Sequence, residues 1–203
     1  MRTLKTTITF IVIAVLGVLL LVMSIKDKKE LAKPPADIAA MTEDDFYNGR
    51  FVEGDVHEIW DSFTTMETSG SKTTGYYFAM PLETSFTTGI PKFVVLSVRD
   101  SSDYAAASRM AQESLDYYTN YVELETVMHI RGKVTKLKGD GAEYFDRYIE
   151  KNGFVPEDTA VHYVINVGND GEGANTALLI GIGITVVGVA GAVFSIIFAR
   201  RRG

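Results

Sequence analysis

Two long apolar runs constrain this chain more than any other feature. Residues 8–25, ITFIVIAVLGVLLLVMSI, form an 18-residue run without a charge, and residues 176–199, TALLIGIGITVVGVAGAVFSIIFA, form one of 24. A helix needs ~20 apolar residues to cross ~30 Å of hydrocarbon, and lipid tolerates no unpaired backbone amides. Both runs are therefore expected to be transmembrane helices. For the first, the alternative is a cleavable signal peptide. Against it, no small-x-small site precedes the charged KDKKE stretch, and the run is longer than a usual signal core. For the second, the alternative is a buried soluble helix, which the basic ending ARRRG argues against. The resulting division is a tip and first span over 1–25, a tether over 26–41, a domain over 42–168, a linker over 169–175, and a second span with a basic tail over 176–203.

Charge orients this arrangement. All 26 acidic residues lie within 27–172, and residues 26–175 hold 15 basic against 26 acidic groups, a net charge of −11. Two spans put both termini on one side. Arg2, Lys5, Arg200, Arg201 and Arg202 stand on that side, against Lys26, Lys28, Lys29 and Lys33 on the other. Basic flanks favour the cytoplasm, whereas long loops translocate largely regardless of charge. The total favours cytoplasmic termini and an extracytoplasmic domain; the first helix alone leans the other way. The absence of cysteine from the sequence excludes disulfides, thiol nucleophiles and Cys-ligated zinc.

The second span is patterned with small residues. Gly181, Gly188 and Ser195 recur every seven positions, and Gly188 and Ala192 are four apart. Small residues let helix backbones approach where lipid removes the hydrophobic drive. Gly181, Gly188, Ala192 and Ser195 are the candidate packing positions, with the first span or a second copy of the chain as partner; plain glycine enrichment of membrane helices is the alternative. Neither span contains an ionisable residue, which argues against a proton relay or transporter.

The middle of the chain alternates between strand and helix signals. Pro34-Pro35 stiffens the tether. Thr42, followed by Glu43, Asp44 and Asp45, reads as a helix start. Five strands are expected over 51–63, 76–82, 92–100, 127–139 and 160–168, with Gly54 a bulge or bend in the first and the polar run TTMETSGSKTTG a turn. A helix is expected from about Asp103, with Ala107, Met110, Ala111, Leu115 and Tyr118 along its inner face. A second is expected over 141–152, closed by Gly153.

Three strands, a helix and two strands is the order of an OB-fold, a small, partly open Greek-key barrel. The long first strand with its internal glycine suits a strand shared between two halves of a barrel. GDV at 54–56, GYYF at 75–78 and RGKV at 131–134 resemble strand signatures of OB-like domains. The arrangement of anchor, domain and anchor resembles small two-span bacterial membrane proteins of unknown function. The resemblance implies an α+β class: an OB-like five-stranded barrel with one or two helices, flanked by transmembrane helices. The helix at 141–152 departs from that pattern, and another mixed α+β fold stays open.

Function is less legible. The strand VMHIRGKVTKLKG, 127–139, is basic, with Arg131 and Lys133 expected to point outward and Met128, Ile130 and Val134 inward. Tyr76 and Phe78 could supply stacking aromatics, so Tyr76, Phe78, Arg131 and Lys133 are the candidate ligand-binding residues. A net charge of −11 nevertheless opposes a polyanion, since nucleic-acid affinity depends on phosphate contacts. Nucleic acid is not an expected partner. His57, His129 and His162 could hold a metal only if they met in space; scattered surface histidines are the plainer reading, and neither metal nor cofactor is expected. Phosphate-loop, HExxH and nucleophile-elbow motifs do not occur. The expectation is a membrane-anchored, non-enzymatic interaction or ligand-binding module, its partners being the bilayer and a protein or a second copy through the second span. A membrane-bound hydrolase-like enzyme is the alternative.

Overall fold

The strand β5, Phe93–Val98, is buried at all six positions, and the domain is organised around it. Its sequence, FVVLSV, supplies the branched and aromatic side chains that suit a strand covered on both faces. Val94, Leu96 and Val98 turn to one core, and Phe93 and Val95 to a second core on the opposite face. The computed structural model describes residues 2–68, 72–169 and 173–201. It divides into two compact units, the terminal segments and residues 34–170.

In the central unit, seven strands form one mixed sheet in the order β1-β2-β6-β7-β5-β4-β3. They are β1 (Ala36–Asp37), β2 (Phe51–Val56), β3 (Ser62–Thr68), β4 (Lys72–Pro81), β5, β6 (Met128–Lys136) and β7 (Ala160–Val167). The pairs β1–β2 and β5–β7 are parallel and the other four are antiparallel. The five-stranded barrel expected from sequence is therefore corrected to an open, seven-stranded sheet. The cause lies in the first expected strand. It breaks at 57–61, so β2 pairs with β6 while β3 crosses to the far side and pairs with β4. Pairing cannot continue from β2 to β3, and the ring stays open. Much of the stretch expected to be a turn is strand instead. Thr64, Thr65 and Met66 pair with Tyr77, Tyr76 and Gly75, and residues 69–71 of that stretch lie outside the described residues.

Two helices cover the two faces. α2 (Ser101–Asn120) begins at Asp100, whose carboxylate accepts the Ser102 amide at 2.8 Å. It buries Ala107, Met110, Ala111 and Ser114, a stripe at helical spacing, against the larger core. This corrects the expected inner face. Ser114 completes the buried stripe, and rotation about the helix axis leaves Leu115 and Tyr118 57% and 52% exposed. α3 (Asp140–Lys151) buries Phe145 and Ile149 against the second core, where Phe63 of β3 meets Phe145 at 5.4 Å. A four-residue turn, α4 (Pro156–Thr159), leads into β7.

Gly54, expected from sequence as a bulge or bend, sits inside β2 with its pairing to Ile130 in register. Its φ of +150° is one that side-chain-bearing residues rarely adopt, and a Cβ there would meet Asp37 and Ile38 at 3.0 Å. Ile38 thereby packs down on β2 within the tether, in a short 3₁₀ turn spanning Ile38–Ala40. Thr42 starts a second such turn, its amide and hydroxyl both donating to Asp45 at 2.9 Å.

The terminal unit is a pair of helices, α1 (Arg2–Leu31) and α5 (Gly173–Arg201). Their apolar segments, Lys5–Leu31 and Asn175–Phe198, are 27 and 24 residues long, enough to cross a membrane. Only 11% of each apolar window is buried, unlike a helix in the core of a soluble protein. The two helices run antiparallel. A Cβ at Gly188 would fall 2.5 Å from the Ala14 amide nitrogen, and one at Gly181 3.1 Å from the Leu21 side chain. Ser195 and Thr7 hydroxyls meet at 2.7 Å. Gly17 of α1 lies against Thr185, and Gly191 against Phe10.

Candidate functional site

Where the first strand breaks, the domain has a cleft of about 200 Å³. Its floor is apolar, from Ile38, Val56, Met80 and Leu82, all nearly inaccessible. The local sequence explains the opening. β2 ends at Val56, β4 ends at Pro81, and neither strand has a ladder partner across the gap. Beyond Pro81 the chain forms a 3₁₀ helix, Glu83–Thr88, that ends on Gly89 with φ +80°. This helix is pinned to the tether by the Thr84 hydroxyl, which donates to the Met41 carbonyl at 2.6 Å. The pinning presents Phe86 at the cleft, 50% exposed, opposite Leu124 of the loop after α2. The polar lining is mainly acidic, from Asp55, Glu58 and Glu83, together with His57.

Glu58 ties the cleft to α2. One of its carboxylate oxygens accepts the Trp60 indole N–H at 2.6 Å and the Tyr118 hydroxyl at 2.9 Å. Burial, then the bond to Glu58, pushes the Tyr118 phenol well above its ordinary value, so it remains a donor. Trp60 itself packs against Phe93, ring centroids 4.6 Å apart and planes tilted by 59°. Leu115 and Tyr118, three apart on α2, form an exposed apolar stripe beside the cleft. Tyr121 follows in the left-handed conformation, φ +57°, 88% exposed. The loop after it is held by Glu113, which accepts from the hydroxyl and amide of Thr126; these bonds hold its carboxyl below the usual range.

A second polar group lies across β2 and β6. His129 stands opposite Asp55 and bonds to it at 2.8 Å through Nδ1, while Nε2 lies 3.4 Å from Glu53. Those bonds, Asp55 first, raise the imidazole above its ordinary value. Arg131 lies 3.8 Å from Glu53, and the Lys133 ammonium sits 5.8 Å from the Phe51 ring centroid. The outward charges of this strand thus face acids and a ring on β2.

The residues singled out from sequence do not converge. Phe78 is 1% exposed in the larger core and presents no face to a ligand, because its strand is covered there by α2. Tyr76 stacks on Tyr104 of α2 at 3.9 Å. Two strands separate these positions from Arg131 and Lys133. Two of the three histidines are also far apart. His129 and His162 occupy adjoining strands, but Lys136 pairs with Tyr163, which puts His162 level with Leu137. Eight residues along a strand is about 26 Å. His162 instead bonds to Asp146 of α3 at 2.8 Å. Among the described residues no three or more His, Asp or Glu side chains are grouped to hold a metal ion. Sequence reasoning missed Glu58, Phe86 and Leu124. The signals were there: a strand breaking at HEIWD, a Pro81–Gly89 bracket around an exposed phenylalanine, and a helix with more apolar residues than one face can bury.

Fold and site together define an α+β domain with an apolar cleft, flanked by two apolar helices. The chain belongs to the family described as "Domain of unknown function (DUF8577)", whose model matches residues 1–198. No curated protein matches the chain.

Proposed function

We propose that the chain is a membrane-anchored, non-enzymatic binding module that engages its partner through the cleft at the break in the first strand. The cleft carries this reading: an apolar floor with an acidic rim and exposed aromatic groups beside it suits recognition. The exposed apolar surfaces of α1 and α5 support anchoring in lipid. The balance of basic residues, five at the termini against four after the first span, supports cytoplasmic termini and an extracytoplasmic domain. An OB-like ancestry is supported by the first strand's division between two sides of the sheet, β2 on β6 and β3 on β4, with the helix α2 between the third and fourth of the five expected strands.

A photo-crosslinking residue in place of Phe86 tests the module reading in living cells. It should give a discrete adduct, whereas the same residue in place of Glu150, exposed on α3, should not. Equal, diffuse labelling or none from Phe86 would overturn the reading.

A further inference from the structure

The cleft's chemistry is more specific than its shape. Its buried floor would accept one apolar side chain, and a cavity of about 200 Å³ has room for one of leucine or phenylalanine size. Three carboxylates, Asp55, Glu58 and Glu83, stand around that floor. They act on different approaches: Asp55 from β2, Glu58 from the break, and Glu83 from the 3₁₀ helix opposite. Within the cleft's lining only His57 adds a group able to carry positive charge. Asp55 is shared with His129, and Glu58 accepts only neutral donors, so its charge is not neutralised by those bonds. The surrounding segment, 26–175, carries a net charge of −11, which extends the same sign beyond the rim. Such a field attracts cations and repels anionic lipid and nucleic acid.

From this geometry we infer that the cleft docks a segment of a partner protein in which an apolar side chain is flanked by lysine or arginine. The apolar side chain fills the floor between Met80 and Leu82, with Phe86 and Leu124 closing over it, and the flanking cations meet Glu58 and Glu83. The exposed stripe of Leu115 and Tyr118 extends the contact on the Glu58 side. The inference rests on the module reading and names its partner's chemistry.

The test uses the full chain in phosphatidylcholine nanodiscs and a fluorescein-labelled pentapeptide, one phenylalanine between pairs of lysines. Empty discs give the background, and anisotropy gives the affinity. The lysine peptide should bind in a salt-sensitive manner. Peptides with glutamate for lysine, or serine for phenylalanine, should bind far more weakly. Glu58→Gln keeps an acceptor for Trp60 and Tyr118 while removing charge; combined with Glu83→Gln it should weaken binding roughly fivefold or more. Phe86→Ala should weaken it without altering Trp60 emission, which monitors the fold. Binding of the glutamate peptide as tight as that of the lysine peptide, unchanged affinity in both variants, or no binding at all would overturn the inference. If Phe86 crosslinks a partner in cells but the lysine peptide fails, the basic chemistry falls and the module stands. If both fail, the module falls too.

Discussion

Gly188 offers the sharpest test of how the two terminal helices hold together. A Cβ placed there would lie 2.5 Å from the Ala14 nitrogen and 2.7 Å from its Cα, both backbone atoms that cannot swing aside. Ordinary contact needs roughly 3.5 Å, so Gly188→Ala must separate the helices locally by about 1 Å. A gap of that size forfeits a quarter to a half of each atom pair's ~0.1–0.2 kcal/mol, so some 20–40 affected pairs amount to roughly 1–2 kcal/mol. Gly183, on the same helix, has nothing within 4 Å of an added Cβ, and Gly183→Ala is the matched control. The chain has no cysteine, so Thr7→Cys and Ser195→Cys, whose hydroxyls meet at 2.7 Å, supply a clean reporter. Disulfide formation in membranes should be rapid in this background and in Gly183→Ala. Gly188→Ala should reduce the closed population about 5–30-fold, the equivalent of 1–2 kcal/mol. Equal crosslinking of the two alanine variants would refute the close packing at Ala14.

Within the sheet, Ile130→Asp puts a carboxylate into the larger core and should cost ~3 kcal/mol or more, whereas Arg131→Ala and Lys133→Ala should each change stability by ~0.5 kcal/mol or less in denaturant unfolding of the full chain. Similar losses from all three would contradict the two faces of β6. His129, held by Asp55 and then Glu53, should titrate above its ordinary 6.5 by NMR, and Asp55→Asn should lower the midpoint more than Glu53→Gln. Its contribution to stability is then fully present below about pH 6.5 and is lost as pH rises through the raised value; a midpoint at or below 6.5 would contradict the bonded geometry. Ser114→Ala should hold or raise stability by up to ~1 kcal/mol, because the buried hydroxyl finds no hydrogen-bond partner among the described residues.

Periodicity and composition made much of this architecture legible. The apolar runs at both ends, the buried strand FVVLSV and the alternation of MHIRGKV each carry a local physical signal. The β3–β4 hairpin was not legible because β3, SFTTMET, is a polar edge strand whose threonines and serine mimic a turn. Its partnership is fixed by Phe63 packing on Phe145 and Tyr148, contacts with residues some 80 positions away in sequence. The helix face was misjudged for a related reason. Seven-residue spacing put Ser114 inside and Leu115 outside, contrary to their polarity, and only packing against the sheet decides that. The cleft was hidden because it forms between Val56, Met80 and Phe86, which share no local motif.

The proposed anchoring, with both termini inside and the domain outside the membrane, has a direct test. Lys138→Cys places one thiol on the exposed turn between β6 and α3 of a cysteine-free protein. In intact cells a membrane-impermeant maleimide should label it fully, while a cysteine replacing Gly203 should react only after lysis. Labelling of Gly203→Cys in intact cells, with Lys138→Cys protected until lysis, would contradict the account.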